Sequence, residues 1–562
     1  MLIGDIIFIV SCPLLMGGYF LLKKAGRMTR FLGFTAFLPF VAMIVSMILT
    51  GFEKCLIPAY IGAVLFAVCF GLNGIKGVLS VTVTAAVVSL GSLIPCCAVN
   101  SYRDPNYIGE FNKMFSLMKR HYVLTDYKQT DWDGIYKEYY PRVAALKRNS
   151  DDEFYKICYL MSNEFNDPHI SILPAEVSSL EATVKSLQRD LCGKDCGFAA
   201  VRMDDGRILA CCVSENSDAY AAGLRTGCEL TSFNGMEINE YIASTDPDVV
   251  SFGDIDNLEF FRSICAFGIE EDSAKVGFVN EEGESIEAEI RTSGYYYDRI
   301  RTTKDFLFGK DDEYYNYDWR DIGGDTACLV LSDFMTDPAL RNEEEIAELR
   351  RMWEENEKAE GDEVPYPDPM TSIYLKRALD EIKAAGMKKL VIDLRNNGGG
   401  DLGRMGYIAS YFTDEPLYLA SEVYTDRITG KETSAEPQYV KNYTNEWGDG
   451  DIVILIGSNT ASAAEIFARS MSKLPNVTVM GLTDSAGCAM AVSGTKTERL
   501  MFNFPMYKMV DENGNILIDS GADMQSTAQI DVKLSFDEQA FKAIFEDKTD
   551  YTLEKAKEYL AE

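Results

Sequence analysis

The chain has 562 residues, of which 47% are hydrophobic, 11% aromatic and 25% charged, and its formal net charge is −33. Such a composition can fill several apolar cores and excludes disordered, collagen-like and disulfide-scaffold classes. The acidic balance speaks against nucleic acid as a partner, because phosphate binding needs clustered Lys and Arg. Two histidines, His121 and His169, leave little for a His-rich metal site.

The charge is unevenly spread. Residues 1–100 hold six Lys and Arg against two acids, a balance of +4, whereas residues 101–562 hold 48 against 85, a balance of −37. Four apolar runs, Leu2–Leu22, Phe31–Thr50, Leu56–Leu72 and Val78–Val99, each approach the ~20 residues that cross a bilayer. They predict four transmembrane helices over 1–100; a buried helical core is the bland alternative. The loop Lys23–Arg30 carries four positive charges and is expected to be cytoplasmic. Counting crossings from it makes the protein an integral membrane protein of the cell membrane, with the lipid bilayer as a partner and residues 101–562 extracytoplasmic. Nine of the fourteen cysteines follow residue 100, an odd number, so at least one is unpaired within the monomer.

Beyond the runs, Phe111, Met114, Phe115, Met118 and Tyr122 recur at helical spacing, as do Phe154, Ile157, Met161 and Phe165, which predicts an all-helical cap over 101–184. It ends near Asp167-Pro168-His169. A lone histidine is more often a surface or core residue, but a serine nucleophile needs a base, and His169 suits that better than His121, which sits in the first helix. Residues 185–298 read as short strands between Gly, Asn and Asp turns, with a helix near Leu258–Ala266. From 299 to 548 helices alternate with apolar strands, implying an α/β core with a partly parallel sheet. An acidic stretch at 340–370 reads as a solvated insertion, and a helix within 549–562 as a terminal appendage.

Three motifs in these regions can carry chemistry. Val391–Gly400 runs from a buried strand into Gly398-Gly399-Gly400, whose backbone N–H groups can face an anion; a flexible turn is the alternative. Ser462 in Thr460-Ala461-Ser462-Ala463-Ala464-Glu465 falls at a helix N-terminus with small neighbours, although Ser-x-x-Glu is also a plain capping box. Cys196-Gly197-Phe198-Ala199, then Asp218–Leu230 and Phe233-Asn234-Gly235, resemble the core of a PDZ domain, with Gly197 and Phe198 where its carboxylate loop belongs. Cys228 and Leu230 depart from that pattern.

The joint order of helical cap, D-x-H, PDZ-like segment, D-L-R-N-N-G-G-G and S-A-A-E resembles the tail-specific or C-terminal processing serine peptidases and their relatives around the tricorn core. The resemblance covers roughly residues 105–545. It implies an α/β core of the ClpP/crotonase-like kind with a helical cap and an inserted PDZ-like, β-rich domain, here behind an N-terminal all-α transmembrane region. It also implies Ser462 as nucleophile. The processing branch uses a lysine base about 25 residues later, and Gly481–Cys488 has none, so the resemblance is closer to the Ser–His branch, with His169 as base. Asp523 lies near the family's third position. Amides of Gly398, Gly399, Gly400 and Ala463 are the expected oxyanion donors, and Gly197 and Phe198 the expected peptide-binding residues. Protein or peptide substrates follow; no metal and no cofactor are implied. The competing expectation is a non-catalytic receptor that captures peptide tails in the PDZ-like groove.

Overall fold

The computed structural model describes residues 107–562, apart from 148, 176, 246–252, 310–315, 336–346, 348–350, 352–368, 426–431, 442 and 525–529. The four apolar runs, and most of the acidic insertion, lie outside the described residues. Among the described residues no helix is long and apolar enough to cross a membrane. The longest, Val177–Cys192 and Pro369–Ala384, have 16 residues, about 24 Å at helical rise against ~30 Å of hydrocarbon. The expectations of a fold class with a transmembrane region and of an integral membrane protein are corrected accordingly.

The cap is built from α1 (Tyr107–His121), α2 (Trp132–Ala144) and α3 (Asp151–Asn163). Phe111, Met114, Phe115 and Met118 form the buried stripe of α1, and Phe115 meets the Trp132 ring edge-on at 5.3 Å. The cap is not all-helical. After the Asp167–Ile170 turn, β1 (Ser171–Pro174) pairs antiparallel with a core strand, Ser171 opposite Asn503 and Pro174 opposite Leu500. That pairing fastens the turn carrying His169 to the core. Helix α4 (Val177–Cys192) then leads out of the cap.

The next segment is an antiparallel sheet of β2 (Ala199–Arg202), β3 (Ile208–Cys211), β4 (Glu229–Phe233), β5 (Ser273–Val279) and β6 (Ser285–Arg291), in sequence order. Helix α5 (Asp218–Ala221) follows β3, and α6 (Ile255–Cys265) lies between β4 and β5 in sequence. Phe198, Phe233, Phe267 and Phe278 fill its interior, and the same cluster continues into Leu482, Phe536, Phe541 and Phe545 of the core. Helix α7 (Tyr296–Phe308) returns the chain to the core.

The core sheet has the order β7 (Trp319–Gly323), β8 (Thr326–Val330), β9 (Lys389–Asp393), β11 (Ile452–Ile456), β12 (Val477–Gly481) and β15 (Val532–Lys533); only the β7–β8 pair is antiparallel. Each residue of β11 is buried, as expected of a parallel strand covered on both faces. Helices α8 (Pro369–Ala384), α9 (Leu402–Ala409) and α10 (Ala463–Met471) follow β8, β9 and β11 in sequence. A second sheet, with β14 (Leu500–Val510) flanked by β1, β10 (Tyr418–Thr425) and β13 (Ala491–Lys496), shares the main hydrophobic cluster with α10. The last helix, α11 (Tyr551–Ala561), is no appendage. Its Leu553, Ala556 and Leu560 cover Val391, Val453 and Leu455 of the core sheet, and Asp550 at its start holds the buried Arg395 guanidinium at 2.7 Å. The C-terminal ends of the parallel strands open on one edge, where ligand sites of such sheets form.

Candidate active site

Four strand-end segments meet at that edge: Leu331–Phe334 after β8, Leu394–Gly400 after β9, Gly457–Ser462 after β11 and Leu482–Cys488 after β12. Ser462 ends the β11 turn at φ 58°, ψ −123°, a conformation that costs ~1–3 kcal/mol for a side chain other than glycine and is tolerated where the surroundings fix it. The fixing bonds are visible. Its N–H lies 2.9 Å from both Cys488 O and Glu465 Oε2, and Asn397 O accepts the Ala461 N–H at 3.0 Å. Glu465 reaches back as one arm of the capping box, but the Glu465 N–H goes to the Ser462 carbonyl, and the Ser462 hydroxyl makes no cap bond. The hydroxyl is half-buried at the head of α10.

Glu465 organises the turn from below. It is buried and accepts from Ser462, from Ser485 Oγ at 2.6 Å, and from the amides of Gly487 and Cys488 at 2.8 and 3.0 Å. Burial pushes its carboxyl up from the usual range, and these donors oppose that rise.

The glycine run packs directly on the serine. A Cβ on Gly399 would stand 2.6 Å from Ala461 O and 2.7 Å from Ser462 Cβ, and its φ is +97°. Its N–H is not open to a ligand, because Asn397 Oδ1 accepts it at 2.8 Å, while its carbonyl takes the Phe334 N–H. Of the other expected oxyanion donors, Gly398 is exposed, Gly400 half-buried and Ala463 buried as the first residue of α10.

The cap supplies the third side. A Cβ on Gly253 would lie 2.8 Å from the carbonyls of Ala486 and Gly487 and 3.2 Å from Pro168 Cδ, so the Asp167–His169 turn and the loop that holds Ser462 both pack against Gly253. Tyr122 donates its hydroxyl to Asp167 Oδ2 at 2.7 Å, and Asp167 Oδ1 takes the His169 amide at 3.0 Å. Lys128 bridges this turn to the core, donating to Asn166 O and Ser520 O at 3.0 Å each. Both His169 ring nitrogens are buried and, among the described residues, without a hydrogen-bond partner. Burial pushes the imidazole pKa down; the Asp167 carboxylate opposes this and the Lys128 ammonium adds to it.

The expected third residue, Asp523, is exposed. Asp519, four residues earlier, is fully buried. Its Oδ2 accepts the Ala489 N–H at 2.7 Å, and its Oδ1 is unpartnered among the described residues. Burial raises this carboxyl well above the usual range, Asp167 adds to the rise, and Lys128 opposes it. Sequence had no way to separate the two: both acids lie in one turn-rich stretch, and burial alone distinguishes them. The Cys488 thiol is buried and pushed up by burial and by Glu465, Asp519 and Asp167, which ties these three acids to one locus and keeps that thiol protonated.

The expected peptide-binding turn is occupied from within. Asp195 Oδ1 accepts the Gly197 N–H at 2.7 Å, Ser214 donates to its carbonyl, and Phe198 is fully buried against Phe267 at 5.4 Å. On edge strand β2 the Arg202 N–H goes to Ser263 Oγ of α6 at 3.0 Å. The Gly197 amide and the Phe198 ring, expected to bind peptide, thus have partners within the chain.

A doubly covered sheet with a serine at a strained strand–helix turn and a histidine brought from a cap defines a serine-peptidase-like site. Residues 364–524 match the model of Peptidase family S41, and residues 105–161 that of the Tricorn protease C1 domain. Over those two stretches the chain is similar to the tail-specific peptidases of family S41 and to the tricorn protease. A probable CtpA-like serine protease of Staphylococcus aureus is 34% identical over 111 residues, 20% of this chain and 21% of that protein. A counterpart from Staphylococcus saprophyticus is 32% identical over the same length. The chain thus spans about a fifth of the length of the curated relatives it matches. The crystal structure of mature CPAF is similar in fold over 81% of this chain and 96% of that one, at 12% identity and a TM-score of 0.50.

Proposed function

We propose that the chain is a serine endopeptidase acting on proteins or peptides, with Ser462 as nucleophile, His169 as general base and Asp519, rather than Asp523, as the acid that orients the imidazole. The observation that supports this reading is the set of unpaired buried polar atoms of His169 and Asp519, the latter bonded to Ala489, next to the Cys488 carbonyl that takes the Ser462 N–H. Buried polar groups are nearly always hydrogen-bonded, yet both His169 nitrogens and Asp519 Oδ1 have no partner among the described residues. Catalytic hydrogen bonds are often long in a free enzyme and tighten when substrate enters.

In the reaction His169 takes the Ser462 proton as Oγ attacks the peptide carbonyl, and it then gives that proton to the leaving amine. Water hydrolyses the resulting acyl-serine by the same relay. The amides of Gly400 and Ala463 serve the oxyanion, at the positive end of α10; Gly399 instead presses its bare Cα against Ser462. The test is hydrolysis of an unstructured protein by the full chain. Ser462→Ala and His169→Ala each lose at least ~10³-fold in kcat/KM, and Cys488→Ala does not. Turnover that survived both would overturn the assignment.

A further inference from the structure

A second reactive locus lies in the antiparallel segment, away from Ser462. Strand β3 ends at Cys211, opposite Ala199 of β2, and the next residue, Cys212, turns out at φ 51°. The two adjacent thiols shift each other's protonation in opposite directions, Cys211 up and Cys212 down. Thr303 Oγ1 of α7 stands 3.6 Å from Cys212 Sγ. Arg299, one turn earlier on α7, donates to Cys212 O at 2.6 Å and to Asp195 Oδ2 at 2.8 Å. Asp195 in turn holds the Gly197 N–H.

We propose that Cys211 and Cys212 form a redox-active vicinal dithiol, oxidised by low-molecular-weight disulfides, whose state is passed through Arg299 and Asp195 to the Gly197 turn. The attacking sulfur is Cys212. It is half-buried, whereas Cys211 is fully buried. The Cys211 S–H, the Thr303 hydroxyl and the Arg299 charge hold its pKa below the usual thiol value against the effect of burial. Among the described residues the other half-buried thiol, Cys265, is pushed up to about 12 by burial. Thiolates, not thiols, carry out the exchange.

In the first step the Cys212 thiolate attacks one sulfur of the small disulfide, forming a mixed disulfide and releasing one thiolate. Cys211 then gives up its proton to solvent and attacks the Cys212 sulfur, which expels the second thiolate. Two protein thiols are oxidised to one disulfide, and the small disulfide is reduced to two thiols. The new bond closes a small ring through the Cys211–Cys212 peptide. The carbonyl of Cys212, which Arg299 holds, must move with it.

The test uses the full reduced chain and oxidised glutathione, read by peptide mass and by amide hydrogen exchange. The peptide containing Cys211 and Cys212 is expected to lose two hydrogens and retain no glutathione. It should react at least ~10-fold faster than the one containing Cys265. Cys211→Ser is expected to leave glutathione on Cys212. Exchange across residues 196–200 should rise at least ~10-fold on oxidation of the wild-type chain, and not in a chain carrying both Cys211→Ser and Cys212→Ser. A lasting glutathione adduct on wild-type Cys212, or modification no faster than at Cys265, would overturn the dithiol. Unchanged exchange at 196–200 in the oxidised chain would overturn its link to the Gly197 turn. Both wild-type readings stand even where a serine variant fails to fold.

Discussion

The proposed chemistry rests on three side chains, Ser462, His169 and Asp519. Ser462 and His169 stand out in the sequence because each belongs to a short pattern, a small-residue strand–helix turn and an acid-turn-His after a helix, and their catalytic roles are the proposal. Asp519 does not stand out, since Asp519 and Asp523 offer the same side chain in one irregular stretch, and only packing leaves the first at 0% exposure. The two are separable by substitution. Asp519→Asn should lower kcat/KM by about 10²–10⁴-fold, while Asp523→Asn should stay within about twofold of wild type. The residual activity of Asp519→Asn should lose its acid limb at a midpoint below ~6.5, because burial holds the His169 pKa under its ordinary value. Stability moves the other way. A carboxyl whose folded pKa is raised makes the folded state bind more protons than the unfolded one. Its contribution to stability is therefore greatest at low pH and declines as pH climbs from ~3.9 through the folded value. Urea unfolding should show Asp519→Asn gaining on wild type between about pH 5 and pH 8, a difference that a merely structural carboxylate in an ion pair would reverse.

Elements explain why those side chains converge. Central strands β9 and β11 were legible as continuous apolar runs, and the alternation of strand and helix gave the parallel sheet. Strand β1 and the covering role of helix α11 were missed for physical reasons. The four residues of β1 carry no alternation and become a strand only by pairing with β14. The Leu553, Ala556 and Leu560 stripe of α11 reads the same on a surface appendage as on a covering layer, and its anchor is the distant Arg395–Asp550 contact. The contact between the β9 turn and the head of α10 is the tightest of these joints. Gly399→Ala places a Cβ within 2.7 Å of Ser462 Cβ at a φ of +97°. We expect it to cost roughly 1–3 kcal/mol in denaturant unfolding and to lower kcat more than KM, because the displaced atoms belong to the Ser462 turn. A variant with wild-type kcat would show that the glycine run does not position the nucleophile.

At the scale of the whole molecule, the order of cap, β-rich segment and α/β core was readable from the sequence, whereas the use of the β-rich segment was not. A Gly-Phe turn beside a strand suggests capture of a peptide carboxylate. In the folded chain the Gly197 amide is spent on Asp195, and the Arg202 amide of the edge strand is spent on Ser263. Shared packing with Leu482, Phe536 and Phe545 makes the segment a wall of the core. Matched peptides with a free or amidated C-terminus should accordingly be cleaved with kcat/KM values within about twofold. A free carboxylate worth a charge-assisted hydrogen bond would separate them by about tenfold or more. The central claim, that Ser462 is a nucleophile activated by a cap histidine, is tested most directly by treating the full chain with a fluorophosphonate and mapping the adduct by peptide mass. The account predicts one adduct on Ser462, formed at least ~10³-fold more slowly in His169→Ala. An adduct on another residue, or labelling of Ser462 at an equal rate without His169, would contradict it.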